Sequence, residues 1–179
     1  MVEVPAKIYV TNLAKRAREA ARPMALLSSG IKARALAAMA ERLSVQAAAI
    51  LEANQQDVEA IGTHLEQGSD KDSVKAAVDR VRLAPDAIRG MADRMTQIAE
   101  LPDPVGEVTR MWRQPNDLQV SRVRVPIGVI GIVSDSGPIV ITEAVALCLK
   151  SGNVCVVRGG PEWSRSGSLI ATILRDAAE

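Results

Sequence analysis

With 179 residues, 22 basic and 21 acidic side chains and a formal net charge of +1, the chain can bury one real core and has no electrostatic bias toward nucleic acid or an anionic membrane. No Phe, two Trp and one Tyr leave an aliphatic, Ala-rich core and no platform for stacking bases. Two cysteines in apolar surroundings predict reduced, buried thiols, with a disulfide as the minority reading, and the lack of a long apolar run predicts neither signal peptide nor membrane span; the expectation is a cytoplasmic protein.

Residues 1–100 read as helices. An Ala/Lys/Arg-rich helix over 6–21 is expected to stop at Pro23. Ser28 or Ser29 caps the next, in which Ile31, Ala35, Met39 and Leu43 recur at near-helical spacing. A third runs from about Val45 to Ala60, with Gly62 as its stop and Asn54 and Asp57 on a solvated face. His64, the one histidine, falls in a polar linker and has no second ligand at metal spacing, so no metal site is predicted. Two further helices follow. Pro85 suits a first helical position, and Ile88, Met91, Met95 and Ile98 form one apolar stripe that reads as core.

Pro102, Pro104 and Gly106 break the helical pattern, and residues 104–126 read as an antiparallel hairpin. "EVTRMWR" and "LQVSRVRV" are its strands and "QPND" its turn, with Val123 and Val125 on an apolar, covered face opposite Arg122 and Arg124. Such a hairpin needs a surface to lie on, here another subunit or domain. "IGVIGIV" is continuously apolar, as in a strand buried on both faces. Pro138 to Lys150 is a helix with Val140, Ala144, Leu147 and Cys148 on its inner side, ended by Gly152, and "VCVV" is a second short strand. A last helix covers roughly Ser164 to Ala178, so residues 127–179 form a βαβα unit of Rossmann-like, parallel type. The fold class is α/β: helices, a hairpin arm and a partial parallel sheet.

Ligands to such sheets lie beyond the carboxyl ends of the strands, at "SDSGP" and "RGGPEW". Arg158 offers a charged planar fork for phosphate or ribose oxygens, Gly159 and Gly160 allow close backbone approach, and Glu162 can accept from ribose hydroxyls. The plainer reading is a tight strand-to-helix turn with a surface ion pair. Spacing alone favours it, because no G-x-G-x-x-G fingerprint is present.

The words "LPDPVGEV", "RQPNDLQVSRVRVPIGVIGIV", "ALCLKSGN" and "VVRGG", with looser matches at "ILEANQQDVEA" and "VDRVRLAPDAIRGMA", run in order along nearly the whole chain. In them it resembles gamma-glutamyl phosphate reductase, a family of the aldehyde dehydrogenase superfamily. The resemblance implies an incomplete cofactor domain of aldehyde dehydrogenase type, with the hairpin as the oligomerisation arm of a homo-oligomer. It also implies a reaction in which NADPH reduces L-glutamate 5-phosphate to the 5-semialdehyde in proline synthesis. A cysteine thiolate attacks the acyl phosphate in that family, and the thioester takes a hydride.

Three departures bear on activity. The chain stops after its second parallel strand and one helix, so the domain bearing the nucleophile is expected to lie outside it. Cys148 and Cys155 lack a neighbour that would lower a thiol pKa, and no catalytic residue is predicted. The family's Tyr-Glu-Ser/Ala-Arg-Pro-Asn loop is Ser134 to Ile139 here, with Gly137 and Ile139 in place of the Arg and Asn. The turn usually read "RGGSE" plus a small residue has Pro161 and Trp163, whose bulk is expected at the cofactor edge. The expectation is therefore part of an NADP-dependent reductase, inactive alone, with weak or absent NADP binding and a small-molecule substrate only if a catalytic domain is supplied. A non-catalytic relative serving assembly or regulation is the alternative, and a divergent aldehyde dehydrogenase relative with another substrate a third.

Overall fold

The computed structural model describes residues 5–65 and 71–178. Five helices come first: α1 (Ala6–Ala25), α2 (Ser29–Val45), α3 (Ala47–Leu65), α4 (Lys71–Val81) and α5 (Pro85–Glu100). Then follow β1 (Val108–Arg113), β2 (Gln119–Val123), β3 (Val129–Val133), α6 (Ile139–Lys150), β4 (Val154–Arg158), a 3-10 turn (Pro161–Trp163) and α7 (Ser164–Ala178).

Strands β1 and β2 pair antiparallel as the hairpin, and β3 and β4 pair parallel around α6, giving two separate two-stranded sheets among the described residues. The ladder of β3 and β4 is started by Asn153. Its Oδ1 accepts from Gly128 N (2.8 Å), while Val154 N donates to Gly128 O (2.9 Å). Gly152, at φ 72°, supplies the left-handed turn that ends α6, and a Cβ there would press on Pro126.

The core is aliphatic and lies among α2, α3, α5, α6 and α7, with Leu36, Leu43, Ile50, Ile88, Met95 and Ile170 fully buried. Each contributes roughly 1.5–3 kcal/mol through the apolar surface it removes from water. The stripe Ile88, Met91, Met95 and Ile98 is buried as expected, and Pro85 occupies the first turn of α5. Ser28 caps α2, its Oγ accepting from Ile31 N at 3.4 Å.

Several expectations are corrected. Pro23 lies inside the last turns of α1, where its ring is exposed; the helix ends two residues later. Gly62 does not stop α3, which runs on to Leu65 and so takes the backbone of His64 into its last turn. Asn54 and Asp57 are buried, not solvated, because their partners come from segments remote in sequence. Asn54 Nδ2 donates to Val81 O (2.9 Å) and its Oδ1 accepts from Leu83 N (2.7 Å), which closes the α4–α5 connection. Leu147 points outward on α6, whereas Ala144 and Cys148 face inward. Strand β3 is not covered on both faces: Val129, Gly131 and Val133 are exposed and Ile130 and Ile132 half-buried, because α1 packs mainly on β4 and only slightly on β3. Val123 and Val125 are likewise exposed, and in the hairpin strands only Trp112 and Val120 are half-buried.

A second polar knot joins the helical part to the base of the hairpin. Lys32, 1% exposed, makes an ion pair with Asp103 (2.5 Å), whose Oδ1 also accepts from Val105 N (3.0 Å). Lys150 Nζ donates to Ala99 O (2.7 Å), so α6 is tied to the end of α5.

Candidate functional site

The parallel pair brings the two loops at its carboxyl end side by side. Ser134 N donates to Arg158 O (3.0 Å), extending the ladder one step past β3. The loop after β3 is folded by Ser134 Oγ, which accepts from Ser136 N (3.1 Å), and by Gly137 at φ 94°. Gly137 lies against the carbonyl of Arg80, so a Cβ there would sit 3.0 Å from that oxygen. Gly137 and Pro138 are buried, while Ile139 is 42% exposed at the start of α6 and offers no hydrogen-bonding side chain.

In the second loop the side chains of Arg158 and Glu162 are exposed, and Gly159 and Gly160 are half-buried. The glycines serve a purpose other than the expected one. Trp163 does not stand at the edge: it is 2% exposed and its indole lies between Gly159 and Gly167. A Cβ on Gly159 would overlap the indole ring, and one on Gly167 would come within 2.6 Å of it. A Cβ on Gly160 would overlap the carboxylate of Glu162, which folds back over that residue. The glycine surface is thus occupied by the chain itself, and the open polar rim consists of Arg158 and Glu162.

Asp57 holds the start of α7 in place. Its carboxylate accepts from Arg165 N (3.2 Å), Ser166 N (2.9 Å) and Ser166 Oγ (2.7 Å), capping a helix from another helix. The turn bearing Arg158 to Glu162 is therefore anchored on one side by β4 and on the other by Asp57. Spacing does not mark Asp57 as a capping residue, although Trp163 and Gly167, one helical turn apart, are a visible sign of close packing.

Below the rim an apolar cavity of about 950 Å³ opens between α1, α6, β4 and α7, lined in part by Leu13, Met39, Val145, Cys148, Cys155 and Ala171. Burial pushes the Cys155 thiol up to about 12, with a further rise from Cys148, and burial raises Cys148 as well. Neither is a nucleophile at neutral pH. Among the described residues no three His, Cys, Asp or Glu side chains cluster to hold a metal ion, and no helix is long and apolar enough to cross a membrane.

For a phosphorylated dinucleotide this rim fits in part. Arg158 is free to meet a ribose phosphate and Glu162 a ribose hydroxyl, but the glycine backbone that would have lain against a ligand faces the indole instead.

The chain is 46% identical over 93% of its length to gamma-glutamyl phosphate reductase of Citrifermentans bemidjiense, and 42% identical over 95% to that of Clostridium novyi. The crystal structure of gamma-glutamyl phosphate reductase from Thermotoga maritima matches 92% of the chain with a TM-score of 0.83 at 38% identity. Its homologues are gamma-glutamyl phosphate reductases. The enzyme of Saccharomyces cerevisiae agrees, with a TM-score of 0.81 at 30% identity over 93% of the chain. The chain covers 38% and 39% of the two bacterial relatives and 38% and 40% of the two crystallised ones, and corresponds to their N-terminal part. A probable aldehyde dehydrogenase from Listeria monocytogenes, at 18% identity and a TM-score of 0.66, shares the fold. No family model matches the chain.

Proposed function

We propose that the chain forms a single partial cofactor domain of an NADPH-dependent reductase that converts L-glutamate 5-phosphate to L-glutamate 5-semialdehyde, a step of proline synthesis. The observation that carries this reading is the match of 93% of the chain, at 46% identity, to the N-terminal part of a gamma-glutamyl phosphate reductase. The β3–α6–β4 unit supports it by setting Arg158 and Glu162 at the carboxyl end of a parallel sheet. The cofactor, when bound, supplies the hydride. This chain's contribution is to hold the adenosine end: Arg158 pairs with the 2′-phosphate and Glu162 accepts from a ribose hydroxyl. Asp57 and Trp163 keep that rim in position.

By itself the chain performs no reduction, since Cys148 is buried, Cys155 is half-buried and both thiols are held protonated. Purified chain supplied with glutamate semialdehyde and NADP is expected to give no NADPH above a protein-free blank. The hairpin and the exposed edge of β3 support assembly into a homo-oligomer. A non-catalytic assembly or regulatory role is favoured by one observation, the exposed apolar Ile139 at the end of the loop, where α6 starts.

Cofactor binding is tested by fluorescence of Trp163 in a Trp112→Phe background. NADPH and 2′-phosphorylated adenosine nucleotides are expected to perturb it comparably, with NADH at least about tenfold weaker, a difference of roughly 1.4 kcal/mol. Arg158→Gln should abolish that preference. Equal binding of NADH and NADPH would remove the role given to Arg158, and no response to any nucleotide would overturn the cofactor reading.

A further inference from the structure

We infer that the hairpin docks on a second copy of this chain by charge, with Arg110 and Arg122 set against the outer stripe of helix α5 that carries Asp93 and Glu100. The inference rests on the homo-oligomer proposed for the chain and names the surfaces that meet in it. In the β1–β2 ladder Arg110 stands directly opposite Arg122, two residues along from the pair Trp112 and Val120, so the four side chains share one face. Like charges directly opposite each other on a ladder are destabilising. The other two arginines of the hairpin are neutralised within it, Arg113 by Asp117 (3.5 Å) and Arg124 by Glu107 (3.3 Å). Arg110 and Arg122 are exposed and have no carboxylate partner among the described residues; Arg110 lies over the Trp112 ring, 5.3 Å from its centroid. The two strands pack on each other and have no extensive contact with any helix of their own chain.

Helix α5 carries the complement. Its buried stripe from Ile88 to Ile98 leaves Asp86, Gly90, Asp93, Gln97 and Glu100 on the opposite side, at alternating steps of four and three residues. The arginines of this helix are engaged, Arg89 by Asp86 and Arg94 by Glu143 (3.5 Å), and Asp93 and Glu100 have no cationic partner among the described residues. These two stand two turns apart, about 10.5 Å along the axis. Glu100 is in the last turn, where the helix dipole disfavours an anion and no basic residue offsets it. Gly90 leaves open space above the helix, a flat place for the Trp112 indole. Facing cations on one element and unpaired anions on another are two local faults of opposite sign. They cancel when the hairpin of one copy lies on α5 of the other, and in a two-fold dimer the contact is made twice. Residues 101–107 join the end of α5 directly to the hairpin, so an exchange of arms about that axis carries each arm to the other copy's helix.

The test uses light scattering and sedimentation of the full chain over a dilution series at low and high salt. The dissociation constant of the parent is expected to rise at least about tenfold at high salt. The variant Arg110→Glu, Arg122→Glu and, separately, the variant Asp93→Arg, Glu100→Arg should each weaken self-association at least about tenfold. Circular dichroism should stay unchanged in both, since all four side chains are exposed. Mixed one to one, the two reversed chains should associate as tightly as the parent, because each contact again joins opposite charges. Arg122→Glu alone places an opposite charge across from Arg110. Under dilute conditions it should melt no lower than the parent while still weakening assembly. A parent chain that stays monomeric would remove the homo-oligomer reading and this contact with it. A parent that assembles regardless of salt, a charge reversal without effect, or reversed chains that stay apart when mixed would overturn this inference alone.

Discussion

Trp163 explains why glycine stands at two positions eight residues apart, one after β4 and one in the first turn of α7. Its ring needs a flat seat on either side, and any Cβ on Gly159 or Gly167 would take that space. Its Nε1 is the one buried side-chain nitrogen or oxygen among the described residues without a partner. Leaving such a donor unpaired costs about 1–3 kcal/mol, which the buried area of the indole offsets. Gly159→Ala is therefore expected to destabilise the chain by about 1–3 kcal/mol through overpacking. The double variant Gly159→Ala, Trp163→Leu should lose less than the sum of the single changes, because the smaller side chain makes room. Thermal melts of the three variants check this. A Gly159→Ala variant that melts with the parent would show that the indole does not sit on that glycine.

At the scale of elements, the junction between the helices and the hairpin depends on Asp103. Burial pushes its carboxyl up, but the bond and charge of Lys32, the Val105 N–H and the charge of Lys150 together outweigh this and hold it below the ordinary value of 3.8. Unfolding thus takes up a proton over the range below that value. The stabilisation is full above about pH 4 and is lost as pH falls through the lower, folded value. Asp103→Asn should flatten this acid limb. At pH 7 it should also cost about 3 kcal/mol, because Lys32 is left buried without its counter-charge. Urea titrations at pH values from 3 to 7 measure both effects. Parallel stability curves for parent and variant would mean that the pair does not link folding to pH.

For the molecule as a whole, the core between α2, α3, α5, α6 and α7 is well covered and the sheet layer is not. The core helices bury their apolar stripes against one another, yet Val125, Ile127 and Val133 remain more than three-quarters exposed, and Met111 and Leu118 of the hairpin are more than half exposed. A strand edge and an apolar arm of this kind favour pairing with another chain. The expected outcome is a dimer or larger assembly at micromolar concentration, dissociating on dilution, as read by light scattering. Val133→Asp, at a site 76% exposed, should weaken assembly without lowering the melting temperature. A parent chain that stays monomeric and well folded across the series would refute the assembly reading.

Local patterns determined much of this protein. The Pro85 start, the Ile88 to Ile98 stripe, the Ser28 cap, the hairpin turn and the Gly152 cap each depend on residues within a turn or two of one another, so sequence alone located them. So did the two loops at the carboxyl ends of β3 and β4, because strand, helix and strand in that order place them there. What lay beyond local reading was any feature made by distant segments. Asn54 and Asp57 looked solvated because nothing within a helical turn shows that their partners are Val81, Leu83 and Ser166. The glycines of the second loop looked like a ligand surface until packing turned the indole onto them. Burial of a strand is likewise decided by what covers it: "IGVIGIV" has the composition of an interior strand, and only the position of α1, across β4 and barely reaching β3, leaves one face open. Composition sets what a segment can bury, but the arrangement of distant elements decides what is buried, since the hydrophobic effect acts on the surface that neighbours remove from water.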